Sequence, residues 1–218
     1  MSAGKRYKFQ GSTLQVSTGV DAVTKPITGI TQADPAVFTA VGHGLTLGAV
    51  ARVAAVVGMT EINDQLVVVD NPIADTFEAA NINSAGYTAY TSGGTLAPLT
   101  YSAFCELTGA NQQDGTADEI DATSICSTAK EFEQGLGDSG TITLDYNFAP
   151  HTLVQAAMRA AKVSGEEVVV RLTLPKDGGT IVMIGRVQQT SFQGSNGALW
   201  TGSATLRLTG EIFVLDAA

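Results

Sequence analysis

Positive charge is scarce in this sequence: twelve Lys and Arg stand against twenty-one Asp and Glu, giving a formal net charge of −9 at pH 7. Affinity for nucleic acid comes largely from cations that displace phosphate counterions, so this balance excludes a protein that grips DNA or RNA. Cysteine is nearly absent. Cys105 and Cys126 are too few for a disulfide framework and read as reduced thiols of a protein made in a cytoplasm. No run approaches the roughly 20 apolar residues that span a bilayer. Met1 to Gly11 carries Lys5, Arg6 and Lys8 with no apolar stretch behind it, so neither a signal peptide nor a membrane anchor is expected. Histidine is limited to His43 and His151, which with two scattered cysteines give no zinc spacing. His43, between two glycines, reads as a turn residue. Tryptophan occurs once, at Trp200, and reads as a core anchor.

What the sequence does hold is Gly, Thr and Ser in abundance, with β-branched residues in short runs, a composition that favours short strands and tight turns over a helical bundle. A chain of 218 residues holds one large domain or a modest domain plus a small one. Charge separates two parts. From Pro26 to Ala97 the only base is Arg52, against Asp34, Glu61, Asp64, Asp70, Asp75 and Glu78. Lys25-Pro26 at one border, and Ser92-Gly93-Gly94 with Pro98 at the other, are the punctuation of a domain boundary. Residues 26–97 therefore read as a small unit inserted into a larger one made of 1–25 and 98–218. Its apolar runs are Ile27–Thr31, Ala36–Val41, Val50–Val57, Leu66–Val69 and Thr76–Ala79. They are short and bounded by turn residues, and the expected outcome is a small β-barrel.

Outside the insert, strands are expected at Leu14–Thr18, Tyr101–Thr108, Gly140–Phe148, Glu167–Leu174, Thr180–Phe192, Leu199–Leu208 and Glu211–Leu215. Ile142, Leu144, Tyr146 and Phe148 alternate with polar residues, the period of a half-buried strand; Trp200, Ala204, Leu206 and Leu208 share one face of another. The capping-box spacing of Thr128 and Glu131 predicts a short helix that Gly135 ends. A second helix is predicted from Pro150 to about Val163, with Val154, Met158 and Ala161 inward and Gln155, Arg159 and Lys162 wet, stopped by Gly165.

Several patterns imitate chemistry. Gly135-x-Gly137-x-x-Gly140 has the spacing of a dinucleotide loop but follows a predicted helix and opens a strand, the reverse of what a cofactor loop needs. Gly137-Asp138-Ser139-Gly140 imitates a protease nucleophile loop, but Thr141 stands where the next glycine belongs and no histidine is placed to serve it. Asp118, Glu119 and Asp121 lack the twelve-residue calcium-loop pattern. No catalytic residue, cofactor or metal is therefore expected, and the chain is expected not to be an enzyme.

Two resemblances follow from longer blocks. Ile27-Thr28-Gly29-Ile30-Thr31, Gly42-His43-Gly44-Leu45, Val57 to Asn63 and Gly86 to Thr95 together resemble a small β module of phage structural proteins, itself similar to a β domain of ubiquitin-activating enzymes. The blocks Ala117–Ser124, Thr128–Phe132 and Gly135–Leu144, with the ending Ala204–Ile212, resemble the tail tube proteins of long-tailed bacteriophages. This resemblance implies a mainly β fold, a tail-tube β sandwich or barrel with one flanking α-helix, here carrying the inserted small β-barrel. It also implies a structural subunit of the virion tail, assembled in the host cytoplasm. That subunit would form hexameric rings stacked into a tube alongside other tail proteins, through which DNA passes without specific binding. A net acidic chain suits such a conduit, because it repels phosphate. The alternative is a β-sandwich binding or decoration protein of the virion that uses the insert to hold host-surface glycans, for which Tyr87 and Tyr90 are the close aromatic pair.

The segment Gly109 to Thr123 is too polar for a core and too long for a tight hairpin, so it reads as disordered or as a contact loop. In the family it resembles, a long loop here reaches the neighbouring ring. The expected ring-stacking residues are Asn111, Gln112, Gln113, Asp114, Asp118, Glu119 and Asp121, with Lys5, Arg6 and Lys8 of the amino-terminal arm as their basic partners.

Overall fold

Short β-branched runs broken by Gly, Asn and Asp become strands. In the computed structural model, which describes residues 6–216, they pair into one 14-stranded antiparallel sheet and a separate two-stranded hairpin. The chain opens with β1 (Thr13–Val20). Short strands follow: β2 (Lys25–Pro26), β3 (Gly29–Ile30), β4 (Ala36–Thr39), β5 (Val50–Val57), β6 (Leu66–Asp70) and β7 (Thr76–Ala79). Next come β8 (Ser92–Ala103), β9 (Leu107–Gln113), the hairpin strands β10 (Glu119–Asp121) and β11 (Phe132–Gln134), and β12 (Thr141–Asn147). The helix α1 (Leu153–Ser164) precedes β13 (Glu167–Thr173), β14 (Thr180–Gln193), β15 (Thr201–Leu208) and β16 (Phe213–Leu215).

The order across the large sheet is β3-β4-β7-β6-β5-β8-β1-β13-β14-β15-β12-β9, with β2 on β8 and β16 on β14. The strand β8 joins the two halves: its Ser92–Pro98 part pairs with β5 and its Leu99–Ala103 part with β1. Three buried clusters follow this division. The first gathers Leu14, Val16, Leu144, Met158, Val170 and Leu206 and draws nothing from residues 27–97. The second lies wholly between Ile27 and Leu96 and centres on Phe38 and Phe77, whose rings stack at 5.1 Å. The third is a seam, where Val50, Leu66 and Val68 meet Val169, Val182 and Leu215.

Side-chain amides complete the ladders between residues 27 and 97. Asn63 accepts from Val56 N–H at 2.8 Å and donates to Val56 O at 3.0 Å, next to the left-handed Ala55. Asn81 does the same between Val68 N–H and Leu66 O. The expected closed barrel does not form as a closed ladder. Residues 25–30 pair with β8 at their start and with β4 at their end, so one kinked segment spans both borders of an open, curled sheet.

In α1, Val154, Met158 and Ala161 turn inward as expected, and Gly165 ends the helix in the left-handed region, its N–H on Ala161 O at 2.8 Å. Gln155, expected to be wet, is 1% exposed. Its amide donates to Asn147 O and accepts from Ala149 N–H, both at 3.0 Å, so it satisfies backbone that leaves β12 with no ladder partner. The strand expected at Tyr101–Thr108 is two strands split by a turn, Leu107 N–H reaching Phe104 O.

The short helix expected near Thr128 is absent. Phe132–Gln134 is a strand paired with Glu119–Asp121, and the backbone N–H of Glu131 goes to the Thr123 hydroxyl instead of closing a helical turn. Eight residues pay the full cost of helix nucleation for few bonds, and hairpin pairing satisfies the same groups more cheaply.

Candidate functional site

The first half of the polar segment expected to be a loop is an edge strand. Asn111, Gln112 and Gln113 lie in β9 opposite Thr143, Ile142 and Thr141 of β12, and Gln112 donates to Asp114 at 2.7 Å. Beyond them the chain leaves the sheet as an arm, residues 114–139, whose β10–β11 hairpin pairs with no other strand.

The root of the arm is a close crossing of backbones. A Cβ on Gly115 would collide with the backbone of Asp138, and one on Gly140, held at φ +84°, would collide with Gln113 O. Both positions therefore require glycine. The Asp138 carboxylate accepts from Gly140 N–H at 3.1 Å and from Arg207 at 2.8 Å, tying the returning strand to β15. These four residues were not foreseen as a site, although Gly137-Asp138-Ser139-Gly140 stood out in the sequence; what was lacking was the partner, Arg207.

The arm divides the expected acidic group between two faces. Glu119 sits opposite Gln134 and Asp121 opposite Phe132, on one face; Ile120 sits opposite Glu133, on the other, and the alternation puts Asp118 with them. Asp121 is held below the usual carboxylate range by the Thr123 hydroxyl and by Thr123 N–H, which donates at 2.9 Å. Apolar side chains accompany the acids, for Ile120, Ile125, Phe132 and Leu136 are all exposed. Of the expected basic partners, Arg6 and Lys8 are exposed, and Lys5 lies outside the described residues.

Beside the arm, one face of β9, β12 and β15 is polar throughout. Asn111, Gln113, Thr143, Asp145, Ser203 and Thr205 alternate with the core residues, and Arg207, engaged by Asp138, is the base among them. At the far end of these strands three aromatic side chains meet. Phe148 and Phe192 stack at 4.8 Å, and Trp200 lies 6.0 Å from Phe192. Trp200, expected in the core, is 56% exposed.

The residues weighed for other chemistry have ordinary employment. His43 is buried in its turn, its Nδ1 accepting from Leu45 N–H at 2.9 Å, so that Nε2 carries the proton and donates to Ile73 O at 2.8 Å. Tyr90 donates to Ile27 O and Gly93 O, and with Tyr87 it packs half-buried against the second cluster, so the aromatic pair the glycan alternative required is engaged on one side. Cys105 and Cys126 are exposed thiols.

Residues 81–176 match the family described as phage tail tube, TTP, lambda-like, a span that takes in β8, β9, the arm, β12, α1 and β13. Two solved structures of gene transfer agents are also similar. One is the tail of an empty particle with C6 symmetry, at 17% identity and a TM-score of 0.40, covering 52% of this chain and 85% of that one. The other is the virion of a native particle, at 18% identity and a TM-score of 0.41, covering 52% and 88%. No curated protein matches. Over residues 81–176, a little under half of its length, this chain is thus similar to the tail tube proteins of lambda-like phages.

Proposed function

We propose that the subunit assembles six to a ring, that rings stack into a tube through the arm, and that the polar face of β9, β12 and β15 lines the channel for DNA. The family match over the strands and the arm carries this reading. Three physical features support it. The arm exposes Ile120, Ile125, Phe132 and Leu136 on a hairpin with no partner of its own, a cost that a neighbouring subunit offsets. The polar face offers hydroxyls and amides and keeps its Arg207 engaged by Asp138, so phosphates passing along it meet little to hold them. Residues 26–97 form a separate unit packed on β13 and β14 through the seam, to one side of the polar face, and belong on the outside of the tube. On this reading the protein does no catalysis and is assembled in the host cytoplasm. Negative-stain microscopy of the purified protein tests it: rings or tubes of sixfold symmetry are expected, and a persistent monomer at high concentration sinks it.

A further inference from the structure

We propose that the aromatic shelf of Phe148, Phe192 and Trp200 is the seat for the arm of the next copy in the stack. This rests on the reading of the chain as a stacking subunit and names the two surfaces that meet.

The shelf is a built feature. Tyr146, Gly202 and Phe192 lie in one row across β12, β15 and β14, and the next row places Trp200 against Phe148, whose N–H donates to Trp200 O at 2.9 Å. Glycines make room for the rings. A Cβ on Gly194 would fall 2.7 Å from the Trp200 indole, and one on Gly202 would strike the Tyr146 ring. Tyr146, Ala204 and Leu206 on this face are core, in one cluster with Val154, Met158 and Ala161 of α1. Past that cluster the same face continues as uncovered aromatic surface, with Phe192 63% and Trp200 56% exposed.

The position of the shelf identifies its occupant. The arm leaves the start of β12, at Thr141, and the shelf stands at its end, after Asn147. Seven residues of strand separate the two by about 20 Å. A head-to-tail contact needs different, complementary patches at opposite ends of one subunit, and an open stack repeats that contact. The arm brings Ile125 and Leu136, 105% and 89% exposed, to meet aromatic rings of the kind that dominate protein contacts. Charge agrees. Residues 114–139 hold seven acids and Lys130. At the shelf end stands Arg159, which reaches Pro150 O and acts through space on the Tyr146 phenol. A glycan is a poorer occupant, because Phe148 and Phe192 already spend ring faces on each other.

Trp200 is the only tryptophan, so its fluorescence reports the shelf alone. During assembly its emission should shift to the blue and acrylamide quenching should fall severalfold. Cys126 at the arm tip supplies the second measurement. In a Cys105→Ser, Leu199→Cys protein, mild oxidation of assembled material should give a ladder of disulfide-linked chains, and Cys105→Ser, Val163→Cys, with its thiol at the end of α1, should give none. Tubes whose Trp200 stays wet, or tubes without the ladder, overturn the docking while leaving the tail-tube reading intact. Absence of any ring or tube brings down that reading and the docking with it, and protection of Trp200 in the monomer by soluble host-surface glycans assigns the shelf to another ligand.

Discussion

At the scale of single residues, burial has its clearest consequence at Tyr101. Its hydroxyl is buried and approaches the Val50 backbone without completing a hydrogen bond, while the Arg171 guanidinium stands over the ring at 4.6 Å. Burial outweighs the favourable charge of Arg171 and pushes the phenol up to about 12 from 10.0. A raised phenol is neutral in the folded state when the unfolded chain has begun to ionise. Stability from this source is therefore complete below pH 10 and is lost as pH rises towards 12, by about 3 kcal/mol at most. Chemical denaturation of wild type and Tyr101→Phe should show stabilities that diverge over that window, with the variant flatter. Parallel curves would mean that the hydroxyl is solvated. In the core, Leu144→Ala removes a fully buried side chain from the first cluster and should cost about 2 to 5 kcal/mol, read as an earlier urea midpoint.

At the scale of elements, strand period was legible in the sequence and the environment of each strand was not. The alternation of Ile142, Leu144 and Tyr146 placed β12, and the Val154, Met158 and Ala161 stripe placed α1. Trp200 was put on the correct face but not past the edge of the core, because coverage is a tertiary property. The same limit applies to the arm. Its polarity and length read as a disordered or contact loop, yet hairpin pairing overrode a capping-box signal that needed more residues to nucleate. Division of the acids between two faces leads to a prediction. Changing Asp118, Glu119 and Asp121 together to Asn, Gln and Asn should slow polymerisation severalfold in light scattering, and high salt should imitate the change, since exposed charges act mainly on encounter. Phe132→Ser with Leu136→Ser should instead leave salt dependence intact and shorten the tubes at equilibrium, because these side chains contribute burial. An arm whose acids and apolar groups are interchangeable in both measurements would not be the stacking contact.

At the scale of the whole molecule, the runs Val168-Val169-Val170 and Ile181-Val182-Met183-Ile184 carry a signal of their own. Unbroken apolar residues in a strand mean cover on both faces. Here Val168, Val170 and Met183 face the first cluster, while Val169 and Val182 face the seam with Val50, Leu66 and Val68. The part between residues 26 and 97 is thus set apart in the sequence by its charge and punctuation, while its packing on the rest is legible only from its neighbour's strands. Its removal has two separable consequences. Replacing Ile27 to Ala97 with a short Gly/Ser linker leaves the first cluster complete, so the remaining sheet should fold. It also uncovers Val169, Val182 and Leu215, each worth about 1.5 to 3 kcal/mol when buried. The excised protein should therefore unfold at lower temperature and aggregate, and adding Val169→Thr and Val182→Thr should restore solubility with little further loss, because the burial those side chains supplied is already gone. Circular dichroism and thermal melts of the two proteins decide the matter. A soluble, fully stable protein after simple excision would show that the seam contributes nothing, and failure of both to fold would show that β8, which pairs with both halves of the sheet, cannot form β1 pairing without β5 beside it.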